Sequence, residues 1–260
     1  MKLVGGETLG ADLSGLAPLA ERIFAERPRP PGWFERKLAR EGVEAELSGL
    51  ICEGPQVLGY ALLGRAPSRG PIARGAGVGL VEAIRGQGWG PALLEFVADR
   101  ARDHGCAALE FLAEDQRLAW YRRQGFAAVD DQSTLAAPGM GSGFDLAGIV
   151  RSSTTPLGPR ALWSWFPEAW QRSPLGRRLV VELSTGRVWL LREGQAWLAV
   201  RAELAPQATP RQLLVGLRAR LERGTTLVLY PCPSHAPWVA EALAQGFACI
   251  QRATLVRRPT

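Results

Sequence analysis

The sequence has 260 residues, room for one large domain or two of ordinary size, each able to bury a core. With 47% hydrophobic and 22% charged residues it has the composition of a globular chain, which excludes a disordered or fibrous protein. The formal charge of +6 is unevenly placed: residues 1–143 carry 16 basic and 18 acidic side chains and residues 144–260 carry 15 and 7, so the two parts stand at −2 and +8.

In chain order, the apolar spacing predicts a helix over residues 16–27. Residues 46–64 alternate apolar and polar side chains around Glu53, Gly54 and Pro55 and read as an antiparallel hairpin. A strand ends near Val81, and a helix opens at Pro91 and closes at Gly105, with proline and glycine as its start and stop signals. A strand through Leu109, Glu110 and Phe111, a short helix holding Tyr121, the pair Gly125 and Phe126, and a further strand complete the series.

The series then repeats. After a glycine-rich join at residues 138–143, a helix is predicted over 159–171, followed by three strands within 177–204 and a helix from Pro210 to near Gly224. The run from Gly224 echoes the run from Gly105: strand, short helix, Gly246 and Phe247, strand. Both halves thus follow one α/β (α+β) plan, each a mixed, mostly antiparallel sheet flanked by helices, with domains expected at 1–140 and 144–260.

The chemistry concentrates between the strand at Val81 and the helix at Pro91, in Arg85, Gly86, Gln87, Gly88, Trp89 and Gly90. Three glycines at alternate positions let the backbone turn tightly, so that successive N–H groups can face a ligand without Cβ atoms between. The helix behind adds its own unsatisfied N–H groups and its positive dipole end, so the expected occupant is a phosphate or pyrophosphate. The spacing fits neither the dinucleotide fingerprint nor the Walker loop, and a plain strand-to-helix turn is the alternative.

These residues resemble the R/Q-x-x-G-x-G/A motif of the GNAT superfamily of N-acetyltransferases, and Tyr121 with Gly125 and Phe126 resembles that family's Y-x-x-x-G-F ending. The resemblance runs in order over about residues 46–130. It implies that the loop holds the pyrophosphate of acetyl-CoA, that Leu80 and Val81 lie where strand backbone holds the pantetheine arm, and that Tyr121 is the general acid that protonates the leaving thiolate. Glu110 resembles the glutamate of ribosomal-protein alanine acetyltransferases, though the intervening loop is one residue shorter, and is the candidate base; an exposed strand glutamate and deprotonation of the amine through water are the alternatives. Glu114 stands where the family has asparagine, a departure that touches one cofactor contact.

In the second half Leu204, Ala205, Pro206, Gln207, Ala208 and Thr209 stand opposite the glycine loop, Ala242 opposite Tyr121 and Leu229 opposite Glu110. Loop, acid and candidate base are all absent, so this half is expected to be a degenerate acetyltransferase domain. The function expected is transfer of an acetyl group from acetyl-CoA to a primary amine, on a small molecule or peptide, in a ternary complex. The alternative is a non-catalytic acyl-CoA sensor or assembly module that uses its basic half for a partner.

Arg65, Arg69 and Arg74 read first as a solvated loop; the alternative is that they border the acceptor site, where they would suit an acidic acceptor. The basic half contains no recognised nucleic-acid motif, so nucleic acid is not expected, and a homodimer is compatible with the sequence. No apolar run reaches the length of a bilayer span and the first residues show no leader pattern, so a cytoplasmic location is expected. Cys52, Cys106, Cys232 and Cys249 are scattered, with only His104 and His235 to join them, so neither a metal site nor a disulfide framework is expected. Cys232, between two prolines, is the one cysteine not set in an apolar run.

Overall fold

A computed structural model describes residues 1–26, 29–141, 149–150 and 168–260. They form two compact units, one of Met1–Val129 with Leu255–Thr260, the other of Asp130–Thr254. The compact units divide at 129/130, and the last six residues group with the first unit. Residues 139–141 are not a linker: Gly139, Met140 and Gly141 donate to the carbonyls of Thr225, Arg218 and Leu221 at 2.9, 2.9 and 2.7 Å. A Cβ on Gly141 would lie 2.0 Å from the Ala219 oxygen, so the glycine answers a close backbone approach.

The first unit runs β1 (Lys2–Gly5), α1 (Ala17–Ile23), α2 (Trp33–Glu41), β2 (Gly49–Glu53), β3 (Gln56–Arg65), β4 (Ile72–Leu80), α3 (Trp89–Asp103), β5 (Ala108–Glu114) and α4 (Asp115–Arg123). The predicted hairpin is β2–β3, closed by Gly54 and Pro55, with Glu53 opposite Gln56 and a positive φ of 56° at Gly54 that only glycine adopts readily. Strands β1 to β4 pair antiparallel and β5 joins β4 in parallel.

Strand alternation sends Ile51, Ala61 and Leu63 into a core with Leu47, with Leu93, Leu94 and Val97 of α3 and with Tyr121 of α4. It sends Leu50, Tyr60 and Leu62 into a second core with Leu16, Leu19 and Phe34 on the α1/α2 side. The unit is therefore a sheet covered by helices on both faces.

The second unit contains β6 (Ala127–Pro138) from Asp130 onward, β7 (Ile149–Val150), α5 (Ala169–Arg172), β8 (Arg178–Leu183), β9 (Gly186–Glu193), β10 (Ala196–Leu204), α6 (Pro210–Arg220), β11 (Thr226–Pro233), α7 (Pro237–Ala244) and β12 (Ala248–Pro259) up to Thr254. Strands β7 to β10 pair antiparallel and β10 pairs with β11 in parallel, the same order as β1 to β5. The repeat extends to an irregularity: Ala76 is the extra residue of a bulge in β4, and Val200 is its counterpart in β10. Its core gathers Leu179, Leu190, Leu213, Leu217, Leu229 and Trp238.

The strands that close the halves are exchanged. β6 follows α4 in the sequence yet pairs antiparallel with β11 through residues 132–138, while β12 neighbours β5. Helix α6 ends at Arg220, short of Gly224, and Met140 donates to the Arg218 carbonyl in its last turn. The helix expected over 159–171 lies mostly outside the described residues, as does part of the expected join. Cys232 is wholly buried, with its thiol pushed up to about 12 by burial, and Cys249 is partly exposed.

Candidate active site

The loop between β4 and α3 is built for open N–H groups. Val81 donates to the Leu58 carbonyl at 2.9 Å, and a single turn over Glu82–Ile84 leads to Arg85. Gly86 and Gly88 then take φ of 75° and 87°, the left-handed region, and a Cβ at either would meet nothing within 4 Å. Two side chains brace the turn from behind: Arg85 Nε donates to Leu80 O at 3.0 Å and Gln87 Nε2 to Ala83 O at 2.8 Å.

Helix α3 starts at Trp89 with no side-chain cap on Gly88 and no acidic residue in its first turn. Among the described residues, none of the N–H groups from Gly86 to Gly90 finds an acceptor within the protein. The result is an uncapped helix start with its dipole and N–H groups available to an anion, which fits a pyrophosphate.

Beside this loop the sheet opens. β4 and β5 are in register only from Ile72 opposite Ala108 to Arg74 opposite Glu110. Beyond that pair, residues 75–80 of β4, ending at Leu80, have no registered partner on β5. Gly75 sits against Phe111, whose ring would lie 1.9 Å from an added Cβ.

Tyr121 lies on the α3/α4 side of this opening. Its ring centroid is 5.5 Å from Phe111, 5.4 Å from Phe126 and 4.9 Å from Trp120, the last two edge-on. Trp120 also covers the start of α3, 3.2 Å from the Cβ position of Gly90. Burial holds the Tyr121 phenol well above its ordinary value, with Arg117 lowering it and Glu114 raising it by smaller amounts, so the hydroxyl carries its proton.

Glu110 is not an exposed strand residue: its exposure is 0%. Since Phe111 alternates with it along β5 and faces Tyr121, Glu110 points to the α1/α2 side. Arg257, on the β12 segment of this unit, reaches its Oε1 with Nε at 2.8 Å and with Nη2, and Arg69 Nη2 lies 3.4 Å from the same oxygen. The arginines of residues 65–74 do not form a solvated loop: Arg65 pairs with Glu44, Arg69 with Glu110, and Arg74 is 1% exposed within β4. Sequence reasoning missed Arg257, and no local signal marks it, since its partner lies 147 residues away.

In the second unit the start of α6 is closed. Thr209 Oγ1 accepts from Gln212 N at 3.3 Å and Gln212 Oε1 accepts from Thr209 N at 2.9 Å, a capping box. Ala242 and Leu229 are both fully buried, and Gln207, with φ of 67°, is the residue other than glycine with positive φ among those described. Also among the described residues, no group of three potential metal ligands occurs and no helix is long and apolar enough to cross a membrane.

The comparisons agree with this layout. Residues 16–126 match the model of the acetyltransferase (GNAT) family, all within the first unit. Over 99% of the chain, the fold is similar to that of a GCN5-related N-acetyltransferase from Sphaerobacter thermophilus, with 15% identity, 95% of that chain covered and a TM-score of 0.63. It is equally similar to a tandem GNAT protein from the clavulanic acid biosynthesis pathway, with 12% identity, 99% and 98% coverage and a TM-score of 0.63. A GCN5-related N-acetyltransferase from Kribbella flavida matches over 99% of this chain and 71% of its own, at 15% identity and a TM-score of 0.57. Among curated proteins, no match to the sequence was found. Residues 16–126 thus match the acetyltransferase (GNAT) family, and the fold is similar to that of a tandem GNAT protein.

Proposed function

We propose that the first unit transfers an acetyl group from acetyl-CoA to a primary amine by direct attack in a ternary complex, and that the second unit has lost the site. The observation that carries this reading is the uncapped start of α3 beside the opening between β4 and β5. Acetyl-CoA supplies an activated acyl thioester. The N–H groups of Gly86, Gln87, Gly88, Trp89 and Gly90 bind its pyrophosphate, with Arg85 adding positive charge at the loop. The edge of β4 that ends at Leu80 offers backbone groups to the pantetheine arm, as an added strand would use them, up to Val81, whose N–H is bound to Leu58.

In the transfer, the amine nitrogen bonds to the acetyl carbon as the carbon–sulfur bond breaks, and the amine gives up a proton while the sulfur gains one. Tyr121 holds its proton because burial disfavours the phenolate. It is the donor to the leaving sulfur. Glu110, on the opposite sheet face, serves the amine side, so that acid and carboxylate flank the reacting atoms from two directions.

The test is a panel of primary amines with acetyl-CoA and the full chain, wild type against Tyr121→Phe. Transfer by the wild type that falls about 100-fold in kcat in the variant, with KM for acetyl-CoA unchanged, supports the reading. CoA binding without transfer to any amine supports instead a sensor or assembly module.

A further inference from the structure

We infer that Arg257, from the last strand of the sequence, is a positioning residue for acetyl transfer in the first unit: it fixes one oxygen of Glu110 and leaves the other for the acceptor amine. The inference rests on the function proposed above. Its first support is an asymmetry in the contacts. Arginine and carboxylate usually pair fork to fork, two N–H groups on two oxygens. Here Arg257 Nε and Nη2 both reach Oε1, and Arg69 Nη2 lies 3.4 Å from that same atom. Oε2 is buried and, among the described residues, has no hydrogen-bond partner. A fully buried carboxylate oxygen without a partner is costly and calls for an occupant.

The second support is position. Glu110 belongs to the last registered pair of β4 and β5, opposite Arg74, so its carboxylate stands where the two strands part. It faces the α1/α2 side, away from Tyr121. An amine entering from that side meets Oε2 as a hydrogen-bond acceptor, directly or through a water.

The third support is the alternation of the strand that delivers the arginine. Val256 packs into the core under α3, and Arg258 turns to Glu95 of α3 and to the Gln124 carbonyl, the latter at 3.0 Å. Arg257 alone of the three points to the Glu110 face. A strand docked only for cohesion has no need of a guanidinium there.

The experiment is a double-mutant cycle in the full chain, reading kcat/KM for the best amine of the panel and, in the same samples, CoA affinity. Arg257→Ala is expected to lower kcat/KM by about 10- to 100-fold while CoA affinity stays within about two-fold. In a Glu110→Gln background the same change should cost less than about two-fold more, because the group it acts through is gone. Arg257→Lys, which keeps the charge, should recover part of the loss and guards against misfolding of the alanine variant. Equal losses in both backgrounds, or no loss at all, overturn the inference. A wild type that binds CoA but acetylates no amine overturns the proposed function and this inference together.

Discussion

The starts of α3 and α6 occupy the same place in two repeats of one plan, and they handle the same physical problem in opposite ways. Any helix start leaves N–H groups without partners. At α6 the protein answers them itself, through Thr209 and Gln212, and the preceding segment has Pro206 where a donor would be needed. At α3 it leaves them open, with glycines at 86, 88 and 90 and no carboxylate in the first turn. A capped start is stable and mute; an uncapped one forgoes that stability and can bind an anion. The unit with the open start holds the buried phenol of Tyr121 and the carboxylate of Glu110, and the matching positions of the other unit hold Ala242 and Leu229.

The contrast can be broken most forcefully at Gly88. Gly88→Glu puts a carboxylate on the cradle and a side chain in the left-handed region, and is expected to lower CoA affinity by more than about 100-fold in calorimetry. Filling the second unit is the converse. Ala242→Tyr inserts a ring into a site with no free surface, costs about 1–3 kcal/mol in chemical denaturation and creates no second CoA site. Smaller still, Thr209→Ala removes the capping box and should cost about 1 kcal/mol, read as a loss of about 2–4 °C in Tm, with CoA affinity unchanged. An effect of Thr209→Ala on CoA binding would erase the distinction between the two starts.

A pH titration sharpens the same comparison. Burial raises Tyr121 above the ordinary phenol value, so the folded protein keeps a proton there that the unfolded chain releases first. The stability this contributes is complete below the ordinary tyrosine range and is lost as pH rises beyond it. Phenolate absorbance in the near ultraviolet should therefore appear later in the native wild type than in the unfolded chain. Tyr121→Phe should remove part of the alkaline fall in stability; Tyr60, raised in the same way by burial, accounts for another part.

The site was legible where its parts are local. Gly86 and Gly88 announce their backbone conformation, and Tyr121 with Gly125 and Phe126 forms one helix end, so sequence spacing reports them directly. The hairpin at Gly54 and the repeat itself were readable for the same reason. What escaped depends on pairing across the chain. Nothing near residues 138–143 shows that these glycines are needed to approach α6 closely, or that the compact units divide at residue 130. Glu110 read equally well as an exposed strand residue, because the arginine that accompanies it into the interior comes from Arg257. That residue lies on β12, the last strand of the sequence, which neighbours β5 and whose end groups with the first unit.

We propose that the start of α3 binds the coenzyme and the start of α6 does not. This is tested most directly by calorimetric titration of CoA onto the full chain, wild type and Gly88→Glu side by side. The account predicts one site per chain in the wild type and none in the variant. Two sites in the wild type, or one that survives Gly88→Glu, would contradict it.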